Sequence, residues 1–193
     1  MAIRSFLAFE LPPDIRSIIS GTSEEMQRFP LDVRWIKVHN IHLTVIFIGN
    51  FDTKHMEPLG DTVADVCRLY MPFQVSLGRA GFFGDKRHPR VLWIRLDGDI
   101  ERMSDFRDDL QTGLRTFGIK QEKRQFRPHL TLGRFRKGAR GGKQLDELLS
   151  LHKDQPSPSF AFGELILFKS DLKPGGAVYT RMNAWGLGGC PNR

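Results

Sequence analysis

The sequence predicts an α+β protein built as two pseudo-symmetric lobes that face each other across a central groove. Three observations lead there. Strand-like and helix-like patterns alternate along all 193 residues, and the second half repeats the order of the first. Sliding the chain so that His42 falls on His129 also lays Thr44 on Thr131, Phe73 on Phe160 and Val91 on Val178. A hydrophobic content of 40%, with 15 Phe and 3 Trp, is enough for one sizeable core, so residues 1–187 are expected to form a single bilobal domain with an internal duplication, followed by a flexible tail at 188–193.

In chain order, a short apolar run predicts a strand at residues 5–10, and Pro12, Pro13 and Asp14 then open a helix running toward Phe29. A second strand is expected at 41–49, apolar except for His42 and Thr44 and ended by Gly49-Asn50. Met56, Leu59, Val63, Val66 and Leu69 make one helical stripe over 55–69. Strands are expected at 73–80 and 91–96, separated by a Gly/Pro/basic loop at 81–90. A helix over 100–117, a strand at 128–135, a short helix at 143–151 and strands at 159–169 and 177–185 complete the second half. The stretch Lys137 to Lys143, KGARGGK, reads as a flexible cationic segment, either an ordinary solvated loop or a lip of the groove.

Charge narrows the function. With 29 basic against 22 acidic side chains the formal net charge is +7, which favours polyanionic partners, nucleic acid being the common case and a merely solubilising surface the alternative. Cys67 and Cys190 lie far apart and outside any CxxC or Cys/His spacing, so a reduced, intracellular setting is expected. The N-terminal apolar run reads as a strand and not as a signal peptide, and no run approaches membrane-spanning length; a soluble, cytoplasmic protein with no membrane partner is expected.

Two strings carry chemistry: IHLTV at 41–45 and PHLTL at 128–132. With 6 His in 193 residues, chance supplies roughly 0.25 HxT occurrences. The period of two puts His and Thr on one face of each strand, with Leu43 and Val45, or Leu130 and Leu132, on the reverse. A lone histidine in such a strand is more often a hydrogen-bonded core residue than a catalyst. A matched pair brought to one groove can instead perform acid–base catalysis at phosphorus: one imidazole takes a proton from water while the other gives one to the departing oxygen. Thr44 and Thr131 are short, stiff donors for phosphoryl oxygens. Neither motif has the three ligands a metal site needs, so no metal is expected. A cation should meet the growing phosphoryl charge, and Arg134 is the choice, provided that Gly133 permits a bulge that turns it to the motif face. Arg34-Trp35 and Arg90 are further candidates, with Trp35 or Phe83 stacking a base or else serving as structural aromatics.

At this point the chain resembles the 2H phosphoesterase superfamily, and within it the bacterial and archaeal RNA 2′,3′-cyclic phosphodiesterases, also called the 2′-5′ RNA ligase family. The matching stretches are RSFLAFELP, RWIKVHNIHLTVIFIGNF, HPRVLWIRL, FRPHLTLGRF and SDLKPGGAVY. The resemblance implies antiparallel sheets with helices packed outside, no cofactor, a monomer, and opening of a cyclic phosphate at an RNA end to a 2′-phosphomonoester. It also implies His42 as proton donor, His129 as proton acceptor, phosphate contacts from Thr44, Thr131 and Arg134, and reversible joining of tRNA halves through a 2′-5′ linkage. The chain departs from the family pattern at Ile46, where a lysine is usual, at His39, where an acidic residue is common, and at GFFG (81–84) in place of GxFP. A phosphodiesterase for small nucleotides such as ADP-ribose cyclic phosphate and a non-catalytic RNA-binding module are the alternative functions.

Overall fold

A computed structural model describes residues 2–154 and 157–189. Among the described residues, nine strands form two antiparallel sheets and four α-helices pack on them. In the first, β1 (Ala2–Glu10) lies between β3 (His42–Asp52) and β8 (Glu164–Lys173), with β9 (Gly176–Gly186) outside β8. The second runs β2 (Val33–Trp35), β6 (His129–Phe135), β5 (His88–Gly98), β4 (Phe73–Asp85), β7 (Phe160–Phe162).

The helices that cover the sheets are α1 (Pro13–Met26), α2 (Met56–Arg68), α3 (Ile100–Leu114) and α4 (Gly142–Leu151). Pro13 sits where its missing N–H costs nothing, and Asp14 in the first turn complements the helix dipole. Ile15, Ile19 and Met26 then face inward. On α2 the predicted stripe holds for Leu59 and Val63, whereas Leu69 falls just past the helix and is 76% exposed.

One buried cluster runs through both lobes. Phe9 of β1 packs on Phe162 of the other sheet at 5.0 Å, and on Phe73 and on Phe106 of α3 at 6.0 Å each. The opposite face of the first sheet carries a separate apolar patch of Phe6, Ala8, Ile166 and Phe168. The sheets thus bury their helix-covered faces together and leave their other faces toward the groove.

Shifting His42 onto His129 maps β1 onto β5, α1 onto α3, β3 onto β6, α2 onto α4 and β4 onto the β7–β8 segment. The first sheet reads β3-β1-β8 where the second reads β6-β5-β4. Each lobe therefore takes its third strand from the other half of the chain. The two lobes are not the two halves of the sequence.

The structure corrects several boundaries. The loop expected at 81–90 is mostly strand: β4 and β5 form a long hairpin whose turn is capped by the Asp85 carboxylate, which accepts from the Arg87 and His88 amides. Gly84, at φ +103°, absorbs a register shift there. The single strand expected at 159–169 breaks at Gly163 into β7 and β8, which join different sheets. α3 stops at Leu114 and continues as a 3-10 turn, Arg115–Phe117. Within the flexible segment expected at 137–143, α4 already begins at Gly142. Of the tail expected at 188–193, Leu187–Gly189 closes a 3-10 turn, and residues 190–193 lie outside the described residues. Among the described residues, no helix is long and apolar enough to cross a membrane.

Candidate active site

β3 and β6, the two HxT strands, come together where the lobes meet. On each, the motif is set by the same two backbone devices. Nδ1 of His42 donates to the Asn40 carbonyl at 2.8 Å, and Nδ1 of His129 donates to the Arg127 carbonyl at 2.6 Å. Holding Nδ1–H in this way fixes the ring orientation and leaves Nε2 to serve the groove.

The second device is a bulge. β1 pairs Ala8 with Thr44 and Leu7 with Ile46, skipping Val45; β5 pairs Trp93 with Thr131 and Leu92 with Gly133, skipping Leu132. Two successive residues are therefore buried on each strand, Val45 and Ile46 in β3, Leu132 and Gly133 in β6. The next residue returns to the groove face, which places Phe47 on one lobe and Arg134 on the other. Gly133 permits the turn-over: a Cβ there would stand 2.4 Å from Val33 Cγ1 of β2.

The surroundings of the two imidazoles differ. His42 lies flat on Phe6 (centroids 4.8 Å apart, 24° between planes) and meets Tyr179 edge-on at 5.3 Å. Burial among these rings pushes its pKa down to about 4, against the weaker raising effect of the Asn40 carbonyl. His129 meets Phe83 edge-on at 4.9 Å, with Trp93 at 6.3 Å. Its pKa is also lowered, by burial first, with the Arg127 carbonyl opposing and the Arg134 guanidinium adding to the effect. The Arg134 charge also acts on Tyr179 of the other sheet, so its field spans the groove.

Thr44 and Thr131 stand half-buried on the faces that carry the histidines. Arg34 pairs directly with Arg134, both exposed, giving two adjacent cations on the rim. Phe83 lies on the groove side against His129. Trp35 does not: it pairs with the buried Gly133 and packs on the core cluster, so its ring faces away from the groove. Arg90 is exposed at the β4–β5 bulge. Among the described residues, no three His, Cys, Asp or Glu side chains gather as a metal-ligand group.

Three groove residues escaped the sequence reading. Phe47, 72% exposed, lies beside Phe6 on the motif face, and Tyr179 and Phe6 form the bed of His42. The shift that aligns the motifs lays Phe47 on Arg134 and Phe6 on Trp93, which was the available signal.

Comparison with known proteins places this geometry. A family model described as the 2′-5′ RNA ligase superfamily matches residues 20–174. A Methanothermobacter thermautotrophicus protein named RNA 2′,3′-cyclic phosphodiesterase is 31% identical over 97% of this chain and 100% of its own. Among solved structures, a protein of Thermus thermophilus shares the fold with a TM-score of 0.76 at 23% identity, covering 97% of this chain and 99% of its own. E. coli LigT complexed with 3′-AMP does so with a TM-score of 0.72 at 22% identity, over 97% and 99% of the two chains. With twin HxT strands, two exchanged antiparallel sheets and a family match over most of its length, the chain belongs to the 2′-5′ RNA ligase superfamily.

Proposed function

We propose that this protein is an enzyme that opens the 2′,3′-cyclic phosphate at the end of an RNA to a 2′-phosphomonoester, without a metal or cofactor. The observation that carries this reading is the matched pair of imidazoles, each with Nδ1 held by the carbonyl two residues before it, on strands that meet where the lobes join. His129, neutral with its proton on Nδ1, has an Nε2 lone pair ready to take a proton from the attacking water. His42 gives a proton from Nε2 to the departing 3′ oxygen. Burial keeps its basicity low, and the phosphodiester anion supplies the counter-charge that favours the imidazolium. Thr44, Thr131 and Arg134 bind the phosphoryl oxygens, and Arg134 meets the charge that grows on them. Phe47 offers a flat face for a base, with Phe83 and Arg90 as further RNA contacts. With an RNA 5′-hydroxyl in place of water as the nucleophile, the same proton transfers expel the 3′ oxygen and join two ends through a 2′-5′ linkage, with hydrolysis favoured in water. Support also comes from the curated relative named for this activity.

The test is product analysis on one cyclic-ended oligonucleotide in EDTA by phosphorus NMR and mass spectrometry. A 2′-phosphomonoester is expected, with turnover falling about 100-fold or more in both His42→Ala and His129→Ala. A 3′-phosphate product, or full activity in both variants, refutes the reading.

A further inference from the structure

A cavity of about 450 Å³ opens beside His42, between Lys37, His39 and Asn40 on one side and the β8–β9 turn on the other. Asn40 ties it to the reaction centre. Its carbonyl accepts from His42 Nδ1, while its side-chain Nδ2 donates to the Ala177 carbonyl at the start of β9 at 2.9 Å. Tyr179, which lines the cavity, is the ring that meets His42 edge-on. Cavity and imidazole therefore share two residues as a common wall.

The wall is cationic. Lys37, His39 and Lys173 line it, and none of its lining residues is a carboxylate. Elsewhere Lys54, Lys86 and Lys169 each pair with an aspartate, whereas Lys37 and Lys173 form no ion pair among the described residues. The turn contributes Gly175 and Gly176, around which a Cβ would meet nothing within 4 Å, so bare backbone lines an open approach. Two unpaired ammonium groups around an open cavity make a site for a phosphate.

We propose that this cavity binds the phosphodiester on the 5′ side of the terminal nucleotide of a single-stranded RNA end. The inference rests on the reading given under Proposed function and adds a second anchoring point to it. When the cyclic phosphate lies between His42 and His129, the strand leaves through the ribose 5′ oxygen. Its next negative charge is one nucleotide away, and the cavity stands one side chain away from His42. The site gives the enzyme a preference for an RNA end over a free nucleotide.

The experiment measures binding of an RNA hexamer ending in a 2′-phosphate, and of a nucleoside 2′-monophosphate, to wild type and to Lys37→Ala/Lys173→Ala across a range of salt. Both ligands are products, so no turnover is needed: failure of ring opening would break the functional reading and leave this measurement legible. Wild type should hold the hexamer more tightly. The double variant should lose about tenfold for the hexamer, and its dependence of log K on log salt should flatten by about 1.4, the value for two contacts on a single strand. Affinity for the monophosphate should stay unchanged, which also reports an intact fold, and Lys173→Glu should weaken the hexamer further. The proposal is overturned if wild type binds both ligands equally, if the double variant weakens both alike, or if it changes neither.

Discussion

The lobe built on β3 and the lobe built on β6 hold their histidines with the same backbone and surround them with opposite chemistry. Each has a carbonyl two residues upstream of the ring, a threonine two residues downstream and a bulge that skips the next position. At the residue the bulge returns to the groove, one lobe presents Phe47 and the other Arg134. His42 loses basicity to an aromatic bed, while His129 loses it to burial and a neighbouring cation. On the proposed mechanism, a repeated frame supplies two equivalent proton-transfer positions, and a single side chain on each copy makes one side grip phosphate and the other receive a base.

The sharpest way to break this asymmetry is Arg134→Met. On the proposed mechanism it should lower kcat on a cyclic-ended oligonucleotide roughly 100-fold, as expected for removal of a donor to the developing charge. Because the guanidinium disfavours a second positive charge nearby, the His129 titration seen by NMR should move upward in the same variant. An unchanged rate would separate Arg134 from the phosphoryl group. On the opposite lobe, Phe47→Ala should raise KM about tenfold with kcat held, the size expected for one lost base-stacking contact. A fall in kcat instead would mean that the ring chiefly supports Phe6 and His42.

A separate effect concerns stability. The native pKa of His42 is about 4 and the ordinary value is 6.5, so between these limits the unfolded chain binds a proton that the native protein refuses. Stability contributed by neutral His42 is full above about pH 6.5 and declines as pH falls toward about 4, by something on the order of 3 kcal/mol. His129 and His152, both lowered chiefly by burial, act in the same direction. Asp52 and Asp85, whose carboxyls are held low by hydrogen bonds, weaken the fold only at still lower pH. Chemical denaturation at pH 7 and pH 4.5 should show the loss in wild type and a smaller one in His42→Gln; equal losses would remove His42 from the account.

Much of this frame is legible in the residues because periodicity reports which way a side chain points. The HxT strands, the four helices and the shared face of His and Thr follow from it directly. Periodicity says nothing about pairing partners, so the exchange of β4 and β8 between lobes was invisible, as was the break at Gly163 that sends β7 and β8 to different sheets. β2 is three residues long and has no pattern of its own; it exists because Gly133 lets Val33 and Trp35 approach. The segment 81–90 is rich in turn residues, yet the ladder with β5 continues through it. For Arg134 the sequence supplied both the obstacle, strict alternation, and the means around it, a glycine beside it.

The exchange of strands has a mechanical consequence. Cutting the backbone at the hairpin tip between Lys86 and Arg87 would give two fragments, neither owning a finished sheet: one lacks the neighbour of β1 that β8 supplies, the other the neighbour of β5 that β4 supplies. Each is the template the other needs, so the fragments should reassemble only as a complex. For the same reason the lobes are a poor hinge, since swinging them apart strains the connections that cross between them, such as Gly163 between β7 and β8. The spacing of the two imidazoles is thus settled once, when the chain folds.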